Sequence, residues 1–106
     1  MTKGLHITSA VTNPTTGADM LTTFVTIKKM LVSGKNEKNV FIQTEVHISE
    51  TDFDNDCAGI YPGGVVDSLE LTKTALEAST YGYDAAYDDL QSALEAQGHT
   101  VSVVTI

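Results

Sequence analysis

The sequence predicts a single α+β domain in which one main amphipathic helix packs on a small antiparallel or mixed sheet. Residues 40–49 alternate strictly between apolar and polar, which is typical of a half-buried strand. Residues 83–97 repeat apolar side chains at every third or fourth position, which is typical of a helix with one buried face. The chain of 106 residues has the commonest length of one domain, so residues 1–106 are treated as a single unit.

The first half of the chain is predicted to be entirely β. Residues 3–11 favour a first strand, which the turn-forming residues 13–19 end. Residues 21–32 allow two interpretations, because their apolar spacing fits a helix whereas their many β-branched side chains favour a strand. We favour the strand. The polar residues 33–39 have hairpin length, so the strands beside them are expected to pair antiparallel.

The alternating strand assigns each of its side chains to one of two faces. One face is expected to hold the residues at even positions and the other face those at odd positions. The even set is Val40, Ile42, Thr44, Val46 and Ile48; the odd set is Phe41, Gln43, Glu45, His47 and Ser49.

The second half mixes helix and strand. Residues 50–64 are predicted to form a long acidic loop, and loops of that length usually serve a function. Residues 65–78 allow either a helix or a strand, since residues 67–70 have the spacing of a helix capping box. The main helix is expected to end at Gly98, a residue suited to a left-handed C-cap, and residues 99–106 form a last strand. The predicted order is β-β-β-[α or β]-α-β.

Charge is divided unevenly along the chain. The net charge is −8, and all six basic residues are Lys. Residues 1–49 hold five Lys against three acids, a balance of +2, whereas residues 50–106 hold eleven acids against one Lys, a balance of −10. Phosphate binding needs clustered cations, and bidentate recognition of guanine needs Arg. We therefore expect no direct nucleic-acid partner.

The sequence also predicts the compartment in which the protein is made. Its first residues lack the apolar stretch of a signal peptide, so cytoplasmic synthesis is expected. No segment approaches the roughly 18 apolar residues of a membrane-spanning helix. An acidic chain is repelled by anionic lipid surfaces, so no membrane partner is expected.

Patterns for catalysis or metal binding are incomplete. Asp52, Asp54 and Asp56 alternate like the start of a calcium loop, but Cys57 and Gly63 stand where that loop needs Gly and Glu. The three histidines lie on separate predicted strands without zinc-site spacing. Cys57 is interpreted as a small packed residue, because neighbouring carboxylates oppose its thiolate. We expect no metal, no cofactor and no catalytic residue, and hence a protein that is not an enzyme.

Residues 50–87 are the predicted contact surface. They combine the acidic loop with all four tyrosines, and Tyr is favoured at interfaces because its apolar ring has a polar tip. The residues predicted to contact a partner are Asp52, Phe53, Asp54, Asp56, Tyr61, Tyr81, Tyr83 and Tyr87.

In composition the chain resembles the small accessory proteins of bacterial viruses that are rich in Thr and free of Arg. That resemblance implies a non-enzymatic structural protein of the virion, in the capsid surface, neck or tail, that acts through protein–protein assembly or self-association. The alternative is a small acidic inhibitor whose carboxylates imitate nucleic acid in the binding groove of a host defence protein. Mimicry predicts binding that weakens steeply with salt, whereas an apolar interface does not.

Overall fold

The computed structural model describes residues 1–12, 16–20, 22–34, 38–60 and 65–106. Within them the chain folds as seven strands and three helices, which confirms the predicted α+β class. The strands are β1 (Thr2–Ile7), β2 (Val11–Thr12), β3 (Asp19–Met20), β4 (Thr23–Ser33), β5 (Lys38–His47), β6 (Ser68–Lys73) and β7 (Val101–Thr105), and the helices are α1 (Glu50–Asp54), α2 (Ala75–Ser79) and α3 (Tyr83–Ala96).

Five strands form one antiparallel sheet in the order β6-β5-β4-β1-β7, and β2 pairs separately with β3. β4 and β5 pair along nearly their whole length as the predicted hairpin. β1 pairs only with residues 23–25 of β4, whereas β6 pairs with residues 38–43 of β5. The hairpin therefore extends past β1, and the molecule measures 45 × 25 × 21 Å. We call residues 29–33, 38–43 and 68–73 the distal sheet.

The core lies between α3 and one face of the sheet, which we call the helix face; the opposite face is the open face. Tyr87, Leu90 and Leu94 of α3 are buried against this face. Gly98 has φ 94° and ends the helix as predicted. The strand residues that complete the cluster include Leu5, Ile7, Val25 and Val46. None of the helices in the described part of the chain combines the length and the apolar character needed to cross a membrane.

One tyrosine hydroxyl connects α3 to two strands. The Tyr87 hydroxyl accepts a hydrogen bond from the backbone N–H of Ile27 at 2.9 Å and donates to the carbonyl of Lys3 at 3.3 Å. In the register set by Leu5↔Val25, Lys3 and Ile27 would be the next hydrogen-bonded pair of the β1–β4 ladder. The hydroxyl therefore satisfies both backbone groups where the strands separate. Burial raises the pKa of Tyr87, which keeps the hydroxyl protonated.

The segment predicted as a long acidic loop begins instead with α1, so the prediction of an irregular loop is wrong for residues 50–54, whereas residues 55–59 form a turn and irregular structure. Ser49 caps this helix, because its Oγ accepts the N–H of Asp52 at 3.1 Å. Farther along, Ile60 forms a bridge with Val46 of β5. Residues 61–64 lie outside the described residues.

Residues 65–78 contain both of the elements that the sequence allowed. Leu69 and Leu71 pair with Ile42 and Val40 of β5, and this pairing makes residues 68–73 a strand. The capping box forms later than the spacing of residues 67–70 indicated. It joins Thr74 and Glu77 at the start of α2, and its hydrogen bonds lower the pKa of Glu77.

β4 and β1 test two predictions about strands. Residues 21–32 fall largely in β4, which confirms the strand interpretation. The first strand is shorter than residues 3–11, since β1 ends at Ile7 and Val11 begins β2.

We expect Leu90→Ala to lower the free energy of unfolding by about 2–5 kcal/mol, because it leaves a cavity beneath a fully buried side chain. Ser92→Ala, on the exposed side of the same helix, is expected to change it by less than about 0.5 kcal/mol. Urea denaturation measures both values, and equal small losses would contradict the packing of α3 described above.

Tyr87→Phe removes only the hydroxyl, so we expect it to destabilise the protein by about 1–3 kcal/mol, the cost of leaving buried backbone groups unpaired. Amide exchange at Ile27 is the specific readout, since that N–H loses its acceptor. An unchanged exchange rate at Ile27 would show that the hydroxyl does not bridge the strands.

Candidate functional site

α1 covers the part of the open face nearest to β1. The ring of Phe53 lies against Phe24 and His47, with centroid separations of 5.4 and 5.2 Å. His6 meets Phe24 edge-on at 5.4 Å. A Cβ at Gly4 would lie 2.3 Å from the Phe24 ring, so only glycine fits beneath it. Aromatic packing therefore holds α1 on the sheet.

Lys3 adds an electrostatic contact to this packing. Its Nζ lies 2.9 Å from Asp54 Oδ1 and 2.9 Å from Glu50 Oε1. The hydrogen bonds to Asp54 and Glu50 raise the pKa of Lys3 and keep the ammonium charged. Asp54, one of the predicted contact residues, is thus engaged within the molecule.

His47 is buried beneath α1 and is 2% exposed. Glu45 Oε1 lies 2.8 Å from its Nε2, but off the direction in which the ring N–H would donate. Neither ring nitrogen has a hydrogen-bond partner among the described residues. A general base must reach its substrate, and this ring is closed off from solvent, so we interpret His47 as a packing residue.

The other acidic residues of the predicted contact surface lie around α1. Asp52 is in its first turn, and Asp56 follows the helix in an exposed turn with φ 55°. Cys57 is exposed, so its interpretation as a packed residue is wrong. The sequence did not reveal that the helix ends before it. In the described residues no group of three His, Cys, Asp or Glu side chains could hold a metal ion.

The four tyrosines do not form one surface. Tyr87 is buried in the core, whereas Tyr83 is 46% exposed at the start of α3. The Tyr81 hydroxyl donates a hydrogen bond to Asp89 at 2.8 Å. Burial is the larger cause of the raised pKa of Tyr81, and this hydrogen bond adds to it. Tyr61 lies outside the described residues.

The distal sheet has no helix on its open face among the described residues. Leu31, Phe41 and Glu70 form one row across β4, β5 and β6, because Phe41 pairs with both of the other residues. The next row contains Lys29 and Gln43. Leu31 is 50% exposed and Phe41 is half-buried. We call these five residues the distal patch.

A β-bulge sets which side chains reach the distal patch. The register of β4 shifts between Ile27 and Lys29, so residue 28 is additional in this strand. Met30 and Val32 pair with Ile42 and Val40 of the helix face, which leaves Leu31 on the open face. Without the bulge, β4 would present Met30 and Val32, rather than Leu31, on the open face.

A cleft of ≈ 450 Å³ borders the distal patch at Phe41. It is lined by Ser33, Asn39, Val40, Phe41, Glu70, Leu71 and Thr72. A second cleft of ≈ 240 Å³ lies beside α1 and includes His6 and Glu50, whose Nε2 and Oε2 atoms are 3.9 Å apart.

Two lysines at the β4 side of the distal patch are free of ion pairs among the described residues. Lys28 and Lys29 are exposed and form no ion pair in the described part of the chain. Lys73 differs, because its Nζ lies 3.3 Å from Asp89 and 5.7 Å from the Tyr81 ring centroid. The patch therefore carries positive potential on its β4 side.

Sequence reasoning placed the contact surface elsewhere and missed this patch. The available signal was Phe41, the one large apolar residue on the polar side of the alternating strand. A serine–histidine contact was also missed: Ser9 Oγ lies 3.3 Å from His99 Nδ1 and accepts the N–H of Thr100. Neither cleft described above includes this pair, which joins the ends of β1 and β7.

We expect Phe53→Ala to lower the free energy of unfolding by about 1–3 kcal/mol and to detach α1, because its ring is the helix's apolar contact with the sheet. The NMR chemical shifts of the His47 ring would report the detachment, because the ring loses its contact with Phe53. Asp56→Asn keeps the left-handed turn and is the control, with a change below about 0.5 kcal/mol. Equal behaviour of the two variants would contradict the docking of α1.

Comparison with protein-family models, with curated proteins and with solved structures finds no match for this chain. Function is therefore argued from two features of the geometry. One is the aromatic and ionic contacts that engage α1 within the fold, and the other is the uncovered distal patch.

Proposed function

We propose that this protein is not an enzyme and acts by associating with another protein through the distal patch. The observation that supports the proposal is the row of Leu31 and Phe41 on a sheet face that no described helix covers. Exposed large apolar side chains with a polar rim are the usual composition of a protein contact surface. Glu70 and Gln43 provide part of that rim.

The chemistry of the patch defines the partner. Phe41 is a rigid ring at the edge of a cleft, and such rings commonly supply most of the binding energy of an interface. Lys28 and Lys29 favour a partner that presents carboxylates beside an apolar side chain. Exposed lysines that form no ion pair among the described residues also speed the approach of an acidic partner.

The proposed setting is a bacterial-virus particle, where the chain would be a small structural component of the capsid surface, neck or tail. The Thr-rich, Arg-free composition supports this setting. A fold that devotes three strands to an extended, uncovered sheet suits assembly, because extended sheets provide contact area without a catalytic pocket.

Ion pairing within the molecule favours assembly over nucleic-acid mimicry. A mimic needs free carboxylates in a row to replace phosphates. Here Glu50 and Asp54 are paired with Lys3, and Asp89 is paired with Lys73.

Leu31→Asp tests the distal patch by placing a carboxylate at its apolar centre. A tagged chain is incubated with lysate or particle preparations from the source organism, and bound proteins are quantified by mass spectrometry. We expect the variant to weaken capture of a specific partner at least about tenfold, the loss typical of a disrupted interface centre. Leu76→Asp is the matched control, because Leu76 is 81% exposed on α2 and lies outside the patch.

Two results would contradict the proposal. One is equal capture by Leu31→Asp and the parent. The other is a nucleic-acid-binding partner whose capture falls steeply with salt and is abolished when Asp52, Asp54 and Asp56 are changed to Lys, which would establish mimicry.

A further inference from the structure

We propose that the edge of β7 pairs antiparallel with β7 of a second copy of this chain, about a two-fold axis at Val103. This surface is separate from the distal patch and adds self-association to the proposed function. The inference depends on the hydrogen-bonding pattern of β7, on its lack of charge, and on the residues that would face one another across the axis.

The hydrogen-bonding pattern leaves one side of β7 unpaired. The N–H of Thr8 donates to the carbonyl of Thr100 at 2.8 Å, so residues 100, 102 and 104 direct their backbone groups toward β1. Val101 and Val103 alternate with them and direct their N–H and C=O groups outward. No strand lies beyond β7 in the described ranges. Two adjacent outward residues therefore offer a ready ladder for another strand.

The two edges of the sheet differ in their protection. β6, the opposite edge, carries Glu70 and Lys73, and charged side chains on an edge discourage pairing with another chain. β7 contains only Val, Ser and Thr, so it has neither a charge nor a proline. It is the one strand of the five-stranded sheet without a charged residue. An unprotected edge of β-branched residues favours strand addition.

A second copy fits this edge better than an unrelated strand does. Pairing about Val103 sets Val103 against itself, Val101 against Thr105, and Ser102 against Val104, so every facing pair is uncharged and contains at least one β-branched side chain. Copies with a net charge of −8 repel one another over most of their surface, so they can meet closely only where no charge lies.

Exposed apolar side chains lie on β7 and at the end of the β1–β7 pair. Val103 is 45% exposed, and Ile106 and Met1 are 82% and 77% exposed. The N–H of Ile106 donates to the carbonyl of Met1 at 3.0 Å, which places these two residues side by side at one end of β7. Pairing of two copies about this axis would bury Val103 together with the strand.

The pairing would join two five-stranded sheets into one continuous sheet of ten strands. β6 would form both outer edges, so the two distal patches would lie at opposite ends of the dimer. A dimer of this kind binds two sites on a repetitive partner and gains avidity without any new contact.

Sedimentation velocity of the full chain at tens of micromolar tests the dimer. We expect the parent to sediment as a dimer, and Val103→Lys or Val103→Glu alone to weaken dimerisation at least about tenfold, because each places like charges directly opposite at the axis. An equimolar mixture of the two variants is expected to restore dimers, since opposite charges then meet. Val103→Thr keeps a β-branched, uncharged side chain and is the control that should remain dimeric.

Hydrogen exchange provides a second readout that does not depend on a substitution. The outward amides of Val101 and Val103 are expected to exchange more slowly at high than at low protein concentration. A monomeric parent with rapid exchange at both amides would overturn the proposal. Dimers that persist in Val103→Lys, or a mixture that fails to restore them, would also overturn it. Leu31→Asp, which alters only the distal patch, is expected to dimerise normally.

Discussion

The Tyr87 hydroxyl is the interaction on which the shape of the sheet depends. β1 must leave β4 somewhere, and a strand that separates from its neighbour exposes a backbone N–H and a carbonyl that cannot remain unpaired in a core. The hydroxyl is both acceptor and donor, so it serves Ile27 and Lys3 together and anchors α3 at the same point. Beyond it β4 continues with β5 and β6 alone, and this continuation is the distal sheet.

The two ends of the open face differ because, among the described residues, only the end near β1 is covered by a helix, α1. α1 is too short to fold by itself, and it stays in place because Phe53 inserts between Phe24 and His47 while Lys3 pairs with its carboxylates. The distal end has no such ring to insert among its described neighbours. Leu31 therefore keeps half of its surface exposed, and the patch is a sheet surface that no described helix covers.

How much the sequence predicts depends on how regular each element is. The alternation of residues 40–49 and the apolar stripe of α3 follow a single period, so both elements and the C-cap at Gly98 were predictable. β4 has apolar side chains on both faces, since Phe24 lies under α1 and Ile27 packs toward α3, and this three-residue step also fitted a helix. α1 has five residues and no stripe, and β6 is a strand only because β5 lies beside it. Such elements are decided by tertiary contacts.

The candidate site was harder to predict than the fold, because charge counted along a chain does not give charge in space. The sequence sets a basic half against an acidic half, and this split directed attention to residues 50–87. Folding then brings Lys3 of the basic half onto α1 of the acidic half and neutralises part of the predicted surface. Lys28 and Lys29 lie exposed on the hairpin and form no ion pair in the described part of the chain. Phe41 lies beside them, on the face of β5 whose other residues are polar. An apolar ring that interrupts the alternation of its own strand is a signal that overall composition does not show.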